Sequence, residues 1–120
     1  MFKKRLQSFA YALRGWQSVI QSEPNARIHL LFSIAVIAMG LGFGVSPSEW
    51  RWLVLCIVLV LAAEGLNTAV ESIVNLVSPQ QHPLAGKAKD TAAGAVLLLA
   101  LGAVFIGLSI FLPYVFAWLK

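Results

Sequence analysis

The residues best suited to chemistry lie in one stretch, AEGLNTAVESIVN, residues 63–75. Glu64, Asn67, Thr68, Glu71 and Asn75 stand there among leucine, valine, isoleucine, alanine and glycine. On an α-helix these five polar residues share one face about 100° wide. Carboxylates on such a face can accept a proton from a reacting group or hold a cation. Their setting is costly, because an acidic residue near the middle of a membrane is unfavourable by about 2.5–3.5 kcal/mol on insertion scales. Such residues persist where they face protein or water and have partners. Asn67 and Thr68 alone would fit a hydrogen-bonded seam between packed helices. Two glutamates two turns apart fit that seam poorly.

The elements that must position this face are membrane elements. The chain has 120 residues, of which 59% are hydrophobic and only 12% charged. That is too apolar for a soluble domain and fits one small integral membrane domain. Formal net charge is +4, but Lys3, Lys4, Arg5 and Arg14 all precede the first long apolar run. Attraction to an anionic membrane surface explains this cluster, and no nucleic-acid partner is expected. The basic start leads into a mixed polar and apolar stretch, so no cleaved signal peptide is expected. Cys56 is the single cysteine; it can form no intrachain disulfide and sits in no metal-ligand pattern.

The pattern predicts an all-α architecture: an N-terminal amphipathic surface helix and three transmembrane helices. In residues 2–21, Phe2, Leu6, Phe9, Leu13, Trp16 and Ile20 recur at helical spacing, while Lys4, Ser8, Tyr11 and Ser18 point the other way. Ser22-Glu23-Pro24-Asn25 breaks this helix, and proline suits the first turn of the next. Spans are expected over about 28–45, 50–77 and 91–119, each able to cross roughly 30 Å of hydrocarbon. A short turn at 46–49 and a polar loop over 78–90, SPQQHPLAGKAKD, connect them. Lys3, Lys4, Arg5, Arg14, Arg27, Lys87 and Lys89 fall on one side, against Arg51 and Lys120 on the other. The N-terminus and the 78–90 loop are therefore expected to be cytoplasmic. Three spans give one subunit little interior, so a homo-oligomer is expected.

Depth separates the two glutamates. Glu64 lies about 18 Å along its helix from Trp52, and Glu71 roughly 10 Å further, near the cytoplasmic headgroups. That arrangement suits a reaction between a lipid headgroup and a water-soluble reagent. His82, Lys87, Lys89 and Asp90 lie on the same side and favour an anionic reagent. Glu23 sits at the depth of Glu71, so these two are candidate magnesium ligands, with substrate phosphates completing the shell. Phosphoryl transfer needs such a metal, a positioning lysine and a base for the attacking hydroxyl; Glu64 is the candidate base. Each residue has a plainer reading: Glu23 as a helix-start acid, the lysines as orientation signals, His82 as a surface histidine. Known nucleotide motifs are absent. The glycines of GLGFG (Gly40, Gly42, Gly44) lie in a span and read as close helix packing. In AGKAKD, the glycine a P-loop needs five residues before Gly86 is replaced by Gln81.

The combined pattern AEGLNTAVESIVNLV…HPLAGKAKDTAAGAVLL resembles the signature of the prokaryotic diacylglycerol kinase family, which includes the undecaprenol kinases. The resemblance covers nearly the whole chain. It implies a homotrimeric enzyme of the bacterial inner membrane that uses Mg2+ and ATP to phosphorylate a lipid hydroxyl. It implies Glu64 as general base, and Glu23 and Glu71 as ligands of the metal. Asn67, Lys89, Asp90, Tyr11, His82 and a basic residue such as Lys4 would contact the nucleotide. Phe9, Leu13, Ile20 and Arg27 would border a lipid slot between the surface helix and the first span. Diacylglycerol is the expected substrate and undecaprenol the alternative. Asn75 departs from the aspartate of many members, and Gln80-Gln81 from an acidic and aromatic pair. Two other function classes remain: a channel or proton-translocating subunit working without nucleotide, and a membrane-packing protein in which both glutamates are replaceable.

Overall fold

A computed structural model describes all 120 residues. Four helices follow one another: α1 (Phe2–Ser22), α2 (Pro24–Phe43), α3 (Pro47–Val77) and α4 (Pro83–Leu119). α2, α3 and α4 are each long and apolar enough to cross a membrane, so the chain is an all-helical membrane protein. At about 1.5 Å per residue α3 and α4 exceed the hydrocarbon thickness, so their ends project beyond it.

Local chemistry explains the breaks. Proline occupies the first turn of α2, α3 and α4, where its missing N–H has no helical partner to lose. Between α1 and α2 only Glu23 leaves the helical conformation. Gly44 ends α2 with a positive φ of 68°, a conformation that costs other residues about 1–2 kcal/mol. Ser46 then caps α3: its Oγ accepts from the Glu49 N–H at 3.2 Å, and Glu49 Oε1 accepts from the Ser46 N–H at 2.9 Å. This reciprocal capping box starts α3 at Pro47, inside the stretch expected as a short turn over 46–49. The Tyr114 hydroxyl of α4 donates to the same Glu49 oxygen, tying the end of α4 to the start of α3.

The polar loop expected over 78–90 is shorter than that, because helix α4 starts at Pro83 rather than near residue 91. His82 caps it, its Nδ1 accepting the Leu84 N–H at 3.1 Å. Lys87, Lys89 and Asp90 therefore sit on the first turns of a helix. Helix α2 begins at Pro24, the proline expected in its first turn, so Arg27 lies within the helix ahead of the span expected from about residue 28.

Packing is concentrated at two levels. At the α2–α3 turn, Val45, Leu53, Ile110 and Phe111 form a small core. Phe43 meets Phe111 and Tyr114 there, with ring centroids 6.1 and 5.8 Å apart. The second level, toward the other end, buries Ala26, Glu64 and Asn67. Only 11 of 120 residues are buried, in a molecule of 58 × 43 × 21 Å, so most apolar side chains face outward.

The three glycines of GLGFG do different things. Gly40 is a packing glycine, because a Cβ there would stand 2.5 Å from the Trp50 ring. Gly44 serves the turn. Gly42 has open space around it, which corrects the reading of all three as packing residues. Gly40→Ala is expected to cost about 1–3 kcal/mol through overpacking, whereas Gly42→Ala, with open space around it, is expected to keep or raise stability, by up to about 1 kcal/mol. Thermal unfolding of the two variants in detergent checks this.

Candidate active site

The polar face of α3 runs from the buried middle of the molecule to the C-terminal end of the helix. Glu64 is 1% exposed and Asn67 6%. Thr68 and Glu71 are half-buried and Asn75 is exposed. Helical neighbours order this face: the Asn67 Nδ2–H donates to Glu71 Oε1 at 3.2 Å, and the Thr68 hydroxyl donates to the Glu64 carbonyl at 3.0 Å.

Glu23 approaches this face from the α1–α2 junction. Its carboxyl lies beside that of Glu71 and feels the charges of Glu71 and Glu64. Burial first, then the Glu71 and Glu64 carboxylates, push the Glu23 carboxyl up from its ordinary value. Two acids brought together from the α1–α2 junction and from α3 suit a hard divalent cation, which would relieve their mutual repulsion. No group of three or more metal-ligating side chains gathers in the chain. A pair of carboxylates with the remaining positions open fits Mg2+, which keeps several waters and takes phosphate oxygens.

The sign of the pH effect follows. A carboxyl whose folded value is raised contributes stability that is present at low pH and lost as pH rises through that value. Metal-free protein is expected to lose stability as pH rises above the ordinary carboxylate range. Mg2+ is expected to restore more stability at the higher pH, where it need not displace a proton. Unfolding temperatures measured across pH, with Mg2+ and with chelator, check this; Glu23→Gln should flatten the series.

Beyond Glu71 the face reaches a cleft of about 620 Å3, lined by Asn75, Ser78, Gln80, Gln81, His82 and Lys89 among others. Its lining mixes polar side chains with proline, alanine and glycine, and Lys89 brings a cation for an anionic ligand. Thus Glu23, Glu64, Asn67 and Glu71 come together, and His82 and Lys89 join Asn75 in the adjoining cleft. Asp90 follows Lys89 but is exposed and does not line the cleft.

The α1 residues do not join this cluster within one chain. Tyr11 is 64% exposed and lies under the Arg14 guanidinium, 5.6 Å from its ring centre. Lys4 is exposed, and Phe9 and Leu13 are 71% and 70% exposed. Ile20 is half-buried and Arg27 exposed.

Two features near Glu64 were not read as site features from the sequence. The Trp16 indole of α1 lies over Gly65, where an added Cβ would stand 3.1 Å from the ring. His29 of α2 places Nε2 3.5 Å from Glu64 Oε2. A signal for His29 existed: it is a lone titratable residue inside an apolar span, and such residues need partners.

Comparison with known proteins places the chain in a family. The family model described as prokaryotic diacylglycerol kinase matches residues 10–111. An undecaprenol kinase of Bacillus subtilis is 41% identical over 107 residues, covering 89% of this chain and 87% of that protein. A diacylglycerol kinase of Synechocystis is 42% identical over 109 residues, covering 90% of this chain and 62% of that longer protein. A diacylglycerol kinase of Haemophilus influenzae is 30% identical over 108 residues, covering 88% of this chain and 92% of that protein. The matched region takes in Glu23, Glu64, Glu71, His82 and Lys89, so the carboxylate face and the basic cleft lie inside the shared segment: this chain belongs to the prokaryotic diacylglycerol kinase family.

Proposed function

We propose that this membrane protein, a lipid kinase by family, transfers the γ-phosphate of ATP to a lipid hydroxyl through Glu64, with Glu23 and Glu71 as ligands of Mg2+. The observation that carries this reading is the convergence of Glu23 with Glu71 beside the buried Glu64. Mg2+, when bound, supplies neutralisation of the phosphate charge. The chain's own groups do the rest. Glu64 accepts the proton of the lipid hydroxyl as the O–P bond forms and the bond to the ADP oxygen breaks. Asn67 holds Glu71 in orientation. Lys89 and His82 bind the polyphosphate in the cleft, with Asp90 beside them at its edge.

Lys4 and Tyr11 act in nucleotide binding from a neighbouring subunit, since they do not line the cleft of their own chain. The protein is thus read as a homo-oligomer, a trimer by its resemblance. The small buried core and the outward apolar face of α1, with Phe9 and Leu13, support both subunit contact and a lipid slot. Ile20 and Arg27 lie along that slot. The α1 helix lies on the inner face of the bacterial cytoplasmic membrane, with the N-terminus cytoplasmic.

Diacylglycerol is the substrate that the family's description names. Undecaprenol is the second reading, favoured by the match over 87% of the Bacillus undecaprenol kinase. The test presents both lipids in parallel with radiolabelled ATP, with Mg2+ and with chelator. Mg2+-dependent labelling of one lipid supports the reading and names the substrate. Labelling of neither by folded protein overturns it.

A further inference from the structure

Glu64 Oε2 is buried and has no hydrogen-bond partner. A carboxylate in such a place is unfavourable unless a donor or cation faces it. The polar group that does so is the His29 imidazole of α2, whose Nε2 stands 3.5 Å from that oxygen. Its backbone is anchored, because the Ser33 hydroxyl, one turn on, donates to the His29 carbonyl at 2.8 Å, and Ser33 is itself buried. The Glu64 side chain is 2% exposed and that of His29 22%, so the imidazole stands between the acid and the surroundings. The separation is longer than an ideal hydrogen bond, as catalytic contacts often are before substrate binds.

We infer that His29 is a positioning residue for Glu64: its Nε2–H donates to Oε2, fixes the carboxylate rotamer and leaves Oε1 for the lipid hydroxyl. This rests on the reading of Glu64 as the base. The donor must be long enough to reach from α2 to α3, which separates three substitutions. His29→Leu keeps bulk and removes the donor. His29→Gln keeps an N–H at about the reach of Nε2. His29→Asn keeps an amide that stops near the position of Nδ1. None of the three adds or removes a metal or nucleotide ligand.

The test measures kcat and KM for ATP of the three variants beside Glu64→Gln. His29→Leu and His29→Asn are expected to lower kcat about 10- to 100-fold, the range seen when an orienting partner is lost, with KM for ATP unchanged. His29→Gln is expected to stay within about threefold of the parent. Wild-type kcat in His29→Leu overturns the inference, as does equal impairment of His29→Gln and His29→Asn. If His29→Leu does not fold, the Gln and Asn variants decide alone. Full activity in Glu64→Gln would overturn the base itself; an inactive Glu64→Gln with fully active His29 variants would remove only the role of His29.

Discussion

Glu64→Gln is expected to lower kcat by about 10²–10⁴-fold, the usual contribution of general-base catalysis, with little change in KM for ATP. The substitution keeps volume and a carbonyl oxygen, so the helix and its packing survive. It removes the ability to accept a proton from the lipid hydroxyl. Stability should hold or rise, because a carboxylate that is 1% exposed carries a desolvation cost that the amide avoids. Steady-state kinetics with thermal unfolding of the same preparation checks both halves. Retained kinase activity in a folded variant would show that another group takes the proton. Loss of activity together with loss of folding would mean that Glu64 acts as a packing residue, the reading in which membrane glutamates serve assembly.

Glu71→Gln is expected to weaken apparent Mg2+ affinity by at least about 100-fold, since even partners that merely orient metal ligands are worth 10- to 100-fold. Raised Mg2+ should recover part of the rate, because one ligand remains in Glu23. Asn67→Ala should show a milder form of the same defect, through loss of the 3.2 Å hydrogen bond that orients Glu71. Glu64→Gln should leave the Mg2+ dependence in place. Activity titrated against Mg2+ separates these cases: the two defects differ in kind, one in the concentration of metal required and the other in the rate at saturation. A Glu71→Gln variant with unaltered Mg2+ dependence would remove Glu71 from the metal site.

Some of this was legible in the residue order alone. Helix periodicity is a local property, so the single polar face of α3 could be read before any packing was known. Apolar runs long enough for a membrane, broken at prolines, marked the helices, since proline acts on its own turn. The family pattern placed Glu64, Glu71, His82 and Lys89 in one segment. The start of α4 was misplaced because polar residues over 83–90 look like loop, while Pro83 at the first turn and the His82 cap decide for helix.

Other features depend on contacts between segments far apart in the chain, which no local spacing reveals. That Glu23 shares the level of Glu71 was expected from the chain order, but their meeting needs the α1–α2 junction to pack beside α3. That His29 would face Glu64 depends on the rotation of α2 against α3 about their own axes, which side-chain packing decides. The different work of Gly40, Gly42 and Gly44 depends on where the Trp50 ring lies. The sequence by itself determined the membrane class, the helices and the polar face, because these follow from composition and helical period. Only the tertiary structure decided which partner each buried carboxylate meets, because burial removes water and leaves a neighbouring helix to supply the partner.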